Sequence, residues 1–339
     1  YDNELNMADM KSCGIPIEFT DYTHYKHSDD YWMLQSALVH PMRTNDPDKA
    51  RLFFVPLMLN AVADSYAYKN RNLCIQGGKV CFDNELRSDA TLGWTDKHLA
   101  QSSHFQRSNG TDHVLVLSHF LGQASYNMFG DYEHLLSCNR IIFEDFAQRR
   151  PNSTAPDRIE LPGLYVANFD GCAPTTQGKR TDDFAMIANM HPLNPDFEDR
   201  GHICDWLKQG NYSHSTCGRG AMCPALADAR FGFHPRGDTF GSNRAFDIVA
   251  SDAVPIFTRK EQYDIMPEFA PFREMSFFVD VTSAEAFHAS LKPLMEMSQQ
   301  EYNDKLEIMR KHASRVDVKS GEPFDAYMAT FARKLRLQD

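Results

Sequence analysis

The sequence lacks a long apolar run, since no stretch of about 18 apolar residues occurs in its 339 residues. Nothing in it is therefore predicted to cross a membrane. It also lacks a surplus of positive charge: the formal net charge is -11, which argues against nucleic acid or an anionic membrane as the main partner. Cys-x-x-Cys and His-x-x-x-His pairs are absent, so a zinc site is not expected. With 42% hydrophobic and 24% charged residues, the composition is typical of a globular protein.

Eight cysteines are present, an even number that suits a disulfide framework. Cys74 and Cys81 flank a Gln-Gly-Gly turn, and Cys217 and Cys223 flank a Gly-Arg-Gly turn. We predict that each pair forms a local disulfide in an oxidising compartment. Free buried thiols are the alternative. Three Asn-x-Ser/Thr glycosylation sequences agree with a secretory route.

Strands alternate with helices along both halves of the chain, which predicts an α/β fold with mainly parallel sheets. The length suits two domains, and the segment 170–182, with its glycines and proline, is the best linker candidate. We place the domains at residues 1–172 and 173–339, with the last helix packing back on the first domain. The continuous apolar stretch 52–59 predicts a strand buried on both faces. Helices are predicted over residues 29–40, 95–107 and 200–208, and three more over 283–337.

The stretch 229–257 says most about chemistry. Alternating apolar residues predict a strand, a turn with a proline and two glycines follows, and helical spacing then precedes a second apolar run. A glycine-rich loop that feeds a helix N-terminus offers unpaired backbone N–H groups and the positive end of the helix dipole to phosphate. Arg236 and Arg244 bracket the loop and add two positive charges. The implied ligand is a nucleotide diphosphate, and a strand-to-helix turn without any ligand is the alternative.

Part of this stretch resembles the signature of the exostosin-like glycosyltransferases, glycosyltransferase family 47; its sequence is HPRGDTFGSNRAFDIVASDAVPIF. That signature has a Pro-x-Gly-Asp turn, a Ser-x-Arg step and a Gly-Cys-Ile-Pro-Val-Ile run, in which Asp252 and Ala253 here replace Gly-Cys. Two earlier passages resemble the family in the same order. They are the Arg-Thr-x-Asp-Pro turn that begins at Arg43, and the Gly-x-Asp-His that begins at Gly110 and precedes an apolar strand and His119.

The resemblance implies a GT-B fold, in which two Rossmann-like domains with mainly parallel sheets face a cleft. It implies that the C-terminal half binds a UDP-sugar, that the N-terminal half binds a glycan or polysaccharide acceptor, and that transfer inverts the anomeric carbon without a metal or other cofactor. The Asp-x-Asp at residues 46–48 matches a family turn and is not expected to bind metal. A non-catalytic glycosyltransferase-like subunit or glycan-binding partner is the alternative from another class, and a phosphorylase of GT-B type is a third.

Members of this family are generally Golgi enzymes with one N-terminal membrane anchor. Because the first residue is Tyr1 rather than Met, we expect a signal, anchor or stem to have preceded this sequence. The expected location is the Golgi or the lumen of the secretory pathway. The sequence leaves open whether the chain pairs with a second copy or with another chain.

Inversion needs a base that takes the acceptor proton and positive charge that stabilises the leaving diphosphate. The base candidates follow strands of the acceptor half and are Asp64, His119 and the pair Glu144 and Asp145. A loop or helix-capping carboxylate and a structural histidine are the alternative interpretations. The donor diphosphate is assigned to Arg236, Gly237, Asp238, Thr239, Gly241, Ser242, Asn243 and Arg244. Arg180 is expected to help, and Asp247 either binds ribose or braces Arg244.

Overall fold

The computed structural model describes residues 26–57, 60, 93–119, 132–143, 158–167, 172, 180–190, 194, 197–212, 214–237 and 239–337. The predictions for Asp64, Cys74, Cys81, Glu144, Asp145 and Asp238 fall outside these ranges. The chain folds into two compact units, one formed by Tyr1–Leu164 with Pro323–Asp339 and the other by Tyr165–Glu322. The division falls at residue 164, ahead of the linker candidate, and the C-terminal segment returns to the first unit.

The first unit contains a four-stranded parallel sheet with the strand order β1-β2-β3-β4. Its strands are β1 (Phe53–Phe54), β2 (His113–Leu117), β3 (Asn139–Ile142) and β4 (Glu160–Pro162). All five residues of β2 are buried, as expected for a parallel strand that is covered on both faces.

The first strand is shorter than predicted. The apolar pattern predicts a strand over residues 52–59, but in the described part of that stretch the strand covers Phe53–Phe54. The backbone N–H of Val55 still donates to the carbonyl oxygen of Val114 at 2.8 Å. Pro56 comes next, and because proline has no N–H it cannot continue the ladder. The parallel strand is thus confirmed, and its predicted length and two-sided burial are wrong, since both strand residues are half-buried.

The second unit contains a five-stranded parallel sheet with the order β6-β5-β7-β8-β9. Its strands are β5 (Asp182–Ile187), β6 (Ser215–Gly218), β7 (Ala229–His234), β8 (Val254–Phe257) and β9 (Phe277–Phe278). The chain leaves β5 for one side of the sheet and continues from β7 to the other, so the strand order reverses between β5 and β7. In open parallel sheets, ligands bind outside the carboxyl ends of the strands at such a point.

In chain order the helices of the described residues are α1 (Asp29–Val39), α2 (Trp94–Gln101), α3 (Ser103–Ser108), α4 (Glu133–Leu136), α5 (Glu198–Gln209), α6 (Met222–Asp228), α7 (Arg244–Ala250), α8 (Glu261–Asp264), α9 (Phe272–Met275), α10 (Ala284–Met295), α11 (Gln299–His312) and α12 (Glu322–Lys334). They include the predicted helices, one of them divided in two, and four short helices that were not predicted, α4, α6, α8 and α9. The single helix expected over 95–107 is two helices, because the Ser102 side chain accepts from the N–H of Phe105 and starts α3. Of the helices in the described ranges, none is long and apolar enough to span a bilayer.

Each strand pairing in the described residues is parallel, and helices alternate with strands in both units. The predicted α/β class with mainly parallel sheets is therefore confirmed. In the second unit, Gly232 lets α7 and α6 approach β7 closely. A Cβ at this position would lie 2.6 Å from the Cγ1 of Ile248 and 2.9 Å from the Cδ2 of Leu226. This close packing fixes the direction in which α7 leaves the end of β7.

The predicted pairing of Cys217 with Cys223 is wrong. Cys217 bonds to Cys204 of α5, and Cys223 bonds to Cys172. The physical reason is that Cys217 lies within β6 and Cys223 within α6. The parallel strand directs Cys217 toward the neighbouring helix α5, where the two Cα atoms are 5.5 Å apart, within the range that a disulfide spans. The free thiol of Cys138 is buried, which raises its pKa to about 12.

Candidate functional site

The loop between β7 and α7 lies at the carboxyl edge of the second sheet, where the strand order reverses. The buried side chain of Gln262 holds it at two points, because its Nε2 donates to the carbonyl oxygens of His234 at 2.8 Å and Phe240 at 3.1 Å. Its Oε1 accepts from the backbone N–H groups of Thr258 and Arg259, both at 2.9 Å. Since every polar atom of this amide has a partner, Gln262 ties the end of β7 and Phe240 of the loop to the start of α8.

Hydrogen bonds within the loop join most of the residues that the sequence assigned to the donor. The N–H of Gly237 donates to the carbonyl oxygen of Thr239 at 2.9 Å, and the Thr239 hydroxyl donates to the carbonyl oxygen of Gly241 at 3.3 Å. The Ser242 hydroxyl oxygen accepts from the N–H of Arg244 at 3.3 Å, so Ser242 satisfies the first N–H of α7. These predicted residues therefore belong to one strand-to-helix connection.

Asn243 and Asp247 form a pair at the start of α7. The Nδ2 of Asn243 donates to the Oδ2 of Asp247 at 2.6 Å, and the Asp247 side chain is buried. In the described residues Asp247 makes no ion pair with Arg244. Asp247 therefore braces the first turn of the helix through Asn243, and it acts on Arg244 through its charge, which raises the pKa of that guanidinium.

Arg244 joins the ends of two strands. Its Nε donates to the carbonyl oxygen of Ile187, the last residue of β5, at 3.0 Å. Its Nη1 lies 3.5 Å from both the carbonyl oxygen of Pro235 and the hydroxyl of Ser242. In the described part of the chain, no carboxylate forms an ion pair with this guanidinium. Burial, and then the charge of Arg200, lower the pKa of Arg244 to about 10. A fixed positive charge that neutral oxygens hold is suited to an anionic ligand.

Arg200, on α5, is a second cation at this edge. Its Nε donates to the carbonyl oxygen of Arg236 at 2.9 Å, and its Nη1 donates to the carbonyl oxygen of Asn189 at 2.7 Å. Its guanidinium lies 3.6 Å from the ring centroid of Phe197. Nothing in the sequence marks Arg200 as part of this edge, because its contacts are tertiary: 36 residues separate it from Arg236. Arg200 also leaves no room for a larger residue at Gly237, since a Cβ there would lie 2.8 Å from the Nη2 of Arg200.

His234, at the end of β7, lies in the positive electrostatic field of the arginines at this edge. The side chain is fully buried, and its Nδ1 lies 3.5 Å from the hydroxyl of Ser242. Burial and the charges of Arg244 and Arg200 hold the pKa of His234 well below its usual range. The imidazole is therefore neutral, and the arginines supply the positive charge here.

Arg180 does not lie at this edge, which corrects the expectation that it helps to hold the diphosphate. Its Nη1 donates to the carbonyl oxygens of Leu226 and Ala229, at 2.9 and 2.5 Å. Its Nη2 donates to those of Ser251 and Asp252, at 2.9 and 2.8 Å. These acceptors lie at the amino-terminal ends of β7 and β8, on the edge opposite to the loop. Arg180 is a structural cross-link of that edge.

A buried polar cluster lies at the carboxyl end of β2 in the first unit. Asn60 is at its centre: its Nδ2 donates to the Oδ1 of Asp29 at 2.9 Å and to the hydroxyl of Ser118 at 2.6 Å, and its Oδ1 accepts from the N–H of His119 at 3.0 Å. Ser118 also donates to the Oδ2 of Asp29 at 2.5 Å. The backbone N–H of Asn60 donates to the Oδ2 of Asp30 at 2.9 Å. The cluster thus fixes the backbone that carries His119.

Asp29, His27 and His119 are held in their neutral forms at neutral pH. Burial, and then the charge of Asp30, raise the pKa of Asp29 to about 8. Burial and the charge of Lys26 lower the pKa of His119 to about 3. The ring of His27 lies edge-on to that of His119, with 4.7 Å between centroids, and its pKa is also well below the usual range because of burial.

Of the four base candidates, the described residues include His119, and the other three lie outside them. Sequence reasoning placed His119 correctly at the end of a strand and missed Asp29, Asn60 and Ser118. The sequence carries no signal for this cluster. Two carboxylates at the start of a helix, here Asp29 and Asp30, are common because the helix dipole favours them, and the sequence does not indicate that they are buried. In the described residues no group of three or more His, Cys, Asp or Glu side chains is arranged to hold a metal ion.

Comparison with known proteins gives one family and several distant structures. The family model described as Exostosin GT47 domain matches residues 10–294. No curated protein sequence matches the chain. A crystal structure of a glycosyltransferase from Rickettsia africae ESF-5 is similar at 10% identity and a TM-score of 0.39, over 85% of this chain and 98% of that chain. TarM is similar at 8% identity and a TM-score of 0.34, over 67% of this chain and 56% of that one. The glycotransferase of kitacinnamycin is similar at 10% identity and a TM-score of 0.33, over 73% and 67%.

Proposed function

Because this chain belongs to the exostosin GT47 family of glycosyltransferases, we propose that it transfers a sugar from a UDP-sugar to a glycan or polysaccharide acceptor, with inversion at the anomeric carbon and without a metal ion. The observation that carries the proposal is the pair of cations at the carboxyl edge of the second sheet. Arg244 is held by neutral oxygens, and its pKa is lowered by burial and by Arg200. The phosphate groups of a nucleoside diphosphate carry the negative charge that suits these two guanidinium groups.

The donor is assigned to the second unit, at the loop between β7 and α7. As the bond from the anomeric carbon to the diphosphate breaks, negative charge develops on the leaving oxygen, and fixed cations that already point at it stabilise the transition state. Helix α7 spans seven residues, so its dipole is a smaller contributor than the sequence suggested. Arg244 carries that role instead, with the charge of Arg200 close to it, so the proposal calls on no metal ion.

The acceptor is assigned to the first unit. An acceptor oxygen attacks the anomeric carbon while a base removes its proton, and the diphosphate leaves from the opposite face, so that one displacement inverts the configuration. The His119 side chain is fully buried and its ring packs edge-on against that of His27, so it offers no exposed nitrogen to an acceptor hydroxyl. We therefore assign the base to one of the carboxylates Asp64, Glu144 and Asp145, and give the cluster around Asn60 a supporting role.

The secretory pathway is the proposed location. Two disulfides in the described residues join segments that are far apart or in different elements, as in Cys172–Cys223 with a sequence separation of 51. Disulfides of this kind persist in oxidising compartments and are rare in the cytosol of mesophiles. A luminal enzyme that extends glycans fits this requirement.

A turnover experiment tests the proposal. The protein is incubated with a panel of UDP-sugars and a panel of oligosaccharide acceptors, release of UDP is followed, and proton NMR identifies the anomeric configuration of the sugar that is transferred, with and without EDTA. The expected result is consumption of one α-linked UDP-sugar, a first product of β configuration, and no effect of EDTA. Retention of configuration would overturn inversion, loss of turnover in EDTA would overturn metal independence, and consumption of another nucleotide sugar would overturn the UDP assignment. Binding of UDP without any turnover would favour the non-catalytic alternative.

A further inference from the structure

One of the three Asn-x-Ser/Thr sequences, Asn109-Gly110-Thr111, lies entirely within the described residues, whereas those at Asn152 and Asn211 do not. Asn109 is the C-cap of α3, with φ 50° and ψ 40° in the left-handed region. Its side chain is exposed. An asparagine in this motif is the acceptor for N-linked glycans, which are bulky and lie on the surface of secreted proteins.

The turn that follows α3 separates the exposed asparagine from the core. The N–H of Gly110 donates to the carbonyl oxygen of Phe105 at 3.3 Å, and a Cβ at Gly110 would lie 2.7 Å from the Cε2 of Phe105. The φ of Gly110 is also positive, at 78°, so two successive left-handed residues turn the chain away from the helix. The middle residue of the motif is therefore packed against the core while Asn109 stays in solvent, and a glycan on Asn109 requires no change in this packing.

The side-chain amide of Asn109 is not used by the described part of the fold. Asparagine is favoured in left-handed turns because its short polar side chain bonds to nearby backbone. Among the described residues, however, this amide makes no hydrogen bond, and it is the backbone carbonyl of Asn109 that accepts from the Nη1 of Arg158, at 3.3 Å. In contrast, side-chain Nδ2 atoms donate within the fold at Asn60, Asn139 and Asn243. The turn explains why an asparagine fits at this position, and attachment of a glycan gives its amide a role.

Asn109 lies at the amino-terminal edge of the first sheet. It precedes β2, and at this edge the N–H of Phe53 donates to the carbonyl oxygen of Asp112 at 2.8 Å. His119 follows the other end of β2, so Asn109 and the buried polar cluster lie at opposite ends of the strand. Ligands of open parallel sheets bind at the carboxyl edge. A glycan on Asn109 therefore leaves open the edge of this unit to which the acceptor is assigned.

We propose that Asn109 carries an N-linked glycan. The inference rests on the proposed location, because the secretory pathway supplies the co-reactant, a lipid-diphosphate-linked oligosaccharide, and the enzyme that transfers it. In the transfer, a bond forms between the Nδ2 of Asn109 and the anomeric carbon of the first sugar. The bond from that carbon to the diphosphate oxygen breaks, the lipid diphosphate leaves with the electron pair, and the amide nitrogen loses one proton. The transfer acts on the chain as it enters the lumen, and the exposed turn then accommodates the product.

Peptide mapping of the full chain, secreted from eukaryotic cells behind a signal sequence, tests the proposal. The denatured protein is treated with peptide N-glycosidase in heavy-oxygen water and digested with trypsin, which releases residues 108–140, where Asn109 is the one asparagine in the motif. We expect a labelled aspartate at this position in most chains. Asn109→Gly should lose the label while keeping the turn, because glycine readily adopts a positive φ. Thr111→Ala should lose it as well, whereas Thr111→Ser keeps the hydroxyl, which donates to the carbonyl oxygen of Ser108, and should keep the label.

Asn303→Gln is the matched control, since Asn303 is exposed but is followed by Asp304 and Lys305 and so lies outside the motif. It should match wild type. Unlabelled Asn109 in secreted wild type whose disulfides have formed would overturn the inference, as would a label that persists in Thr111→Ala. The readout is a mass and does not depend on turnover. A labelled wild type that consumes no UDP-sugar would therefore support the glycan and overturn the proposed transferase activity, so the two failures are told apart.

Discussion

The Nε of Arg244, the first residue of α7, donates to the carbonyl oxygen of Ile187, the last residue of β5, at 3.0 Å. This bond spans the place where the strand order of the second sheet reverses. A guanidinium therefore occupies the position at which open parallel sheets accept their ligands. The hydrogen bond joins the signature loop, which the sequence reveals, to the end of β5, a contact that the sequence does not predict.

The first prediction concerns Gly232. Gly232→Ala places a Cβ against Ile248 and Leu226, and such overpacking of a core costs about 1–3 kcal/mol. Gly201→Ala is the matched control, because this helical glycine has open space around its Cβ position, and alanine in a helix is favoured by roughly 0.5–1 kcal/mol. Urea unfolding should show a lower midpoint for the first variant and a higher one for the second. Shifts in the same direction would contradict the packing described here.

The second prediction concerns disulfide connectivity. Arg219 lies between Cys217 and Cys223, so trypsin separates these two cysteines. A non-reducing peptide map should show Cys217 joined to Cys204 and Cys223 joined to Cys172, and the double variant Cys204→Ser with Cys217→Ser should lose about 3 kcal/mol of unfolding free energy, as expected for a short closed loop. A peptide that contains a bond between Cys217 and Cys223 would contradict the structure.

The third prediction is a pH dependence that comes from Asp29. Its pKa is raised from 3.8 to about 8 in the folded protein, so the folded state keeps a proton that the unfolded state releases between these pH values. Stability therefore falls as the pH rises through this window, by up to about 1.4 kcal/mol per pH unit. Below 6.5 the buried neutral histidines His27 and His119 act in the opposite direction, because the unfolded state alone takes up their protons.

The window from pH 6.5 to 8 isolates the effect of Asp29. Chemical unfolding across it should show wild type losing stability relative to Asp29→Asn, which has no proton to release. Asp264→Asn, at an exposed carboxylate, should follow wild type. Parallel pH profiles for wild type and Asp29→Asn would mean that Asp29 is already ionised in the folded protein.

The fourth prediction concerns which residue is the general base. Replacing a general base lowers kcat by about 100- to 10,000-fold, so one of Asp64→Asn, Glu144→Gln and Asp145→Asn should show such a loss with the donor KM unchanged. His119→Gln should lose less, because the His119 side chain is fully buried and does not reach an acceptor hydroxyl. A larger loss in His119→Gln than in all three carboxylate variants would move the base to the histidine.

The spacing of apolar residues predicted the secondary structure of the second unit well around the glycine-rich loop. The run from Ala229 to Phe257 was correctly divided into β7, a glycine-rich loop, α7 and β8, because period-two and helical spacing reflect burial directly. Arg236 and Arg244 were placed at the loop for the same reason.

The errors have a common physical cause, which is that spacing along the chain does not determine tertiary neighbours. Arg180 precedes a strand, so it lies at the amino-terminal edge, and its acceptors near Ala229 and Ser251 come from elements that follow much later. Cys217 and Cys223 are close in sequence, but a strand and a helix direct them to different partners. Arg200 was missed because an arginine in an amphipathic helix looks like any exposed charge until the fold brings its partners to it.

Thermal unfolding decides whether the loop between β7 and α7 is the donor site. Wild type, Arg244→Gln and the control Arg273→Gln, at an exposed arginine that pairs with exposed Asp264, are unfolded with UDP, UMP and a panel of UDP-sugars, in the presence and absence of EDTA. We expect UDP and one UDP-sugar to stabilise wild type and Arg273→Gln, by about 2.7 kcal/mol at roughly 100 times the Kd. EDTA should have no effect, and Arg244→Gln should lose the stabilisation. Equal stabilisation of Arg244→Gln, or no stabilisation of wild type by any uridine nucleotide, would contradict the assignment of this loop as the donor site.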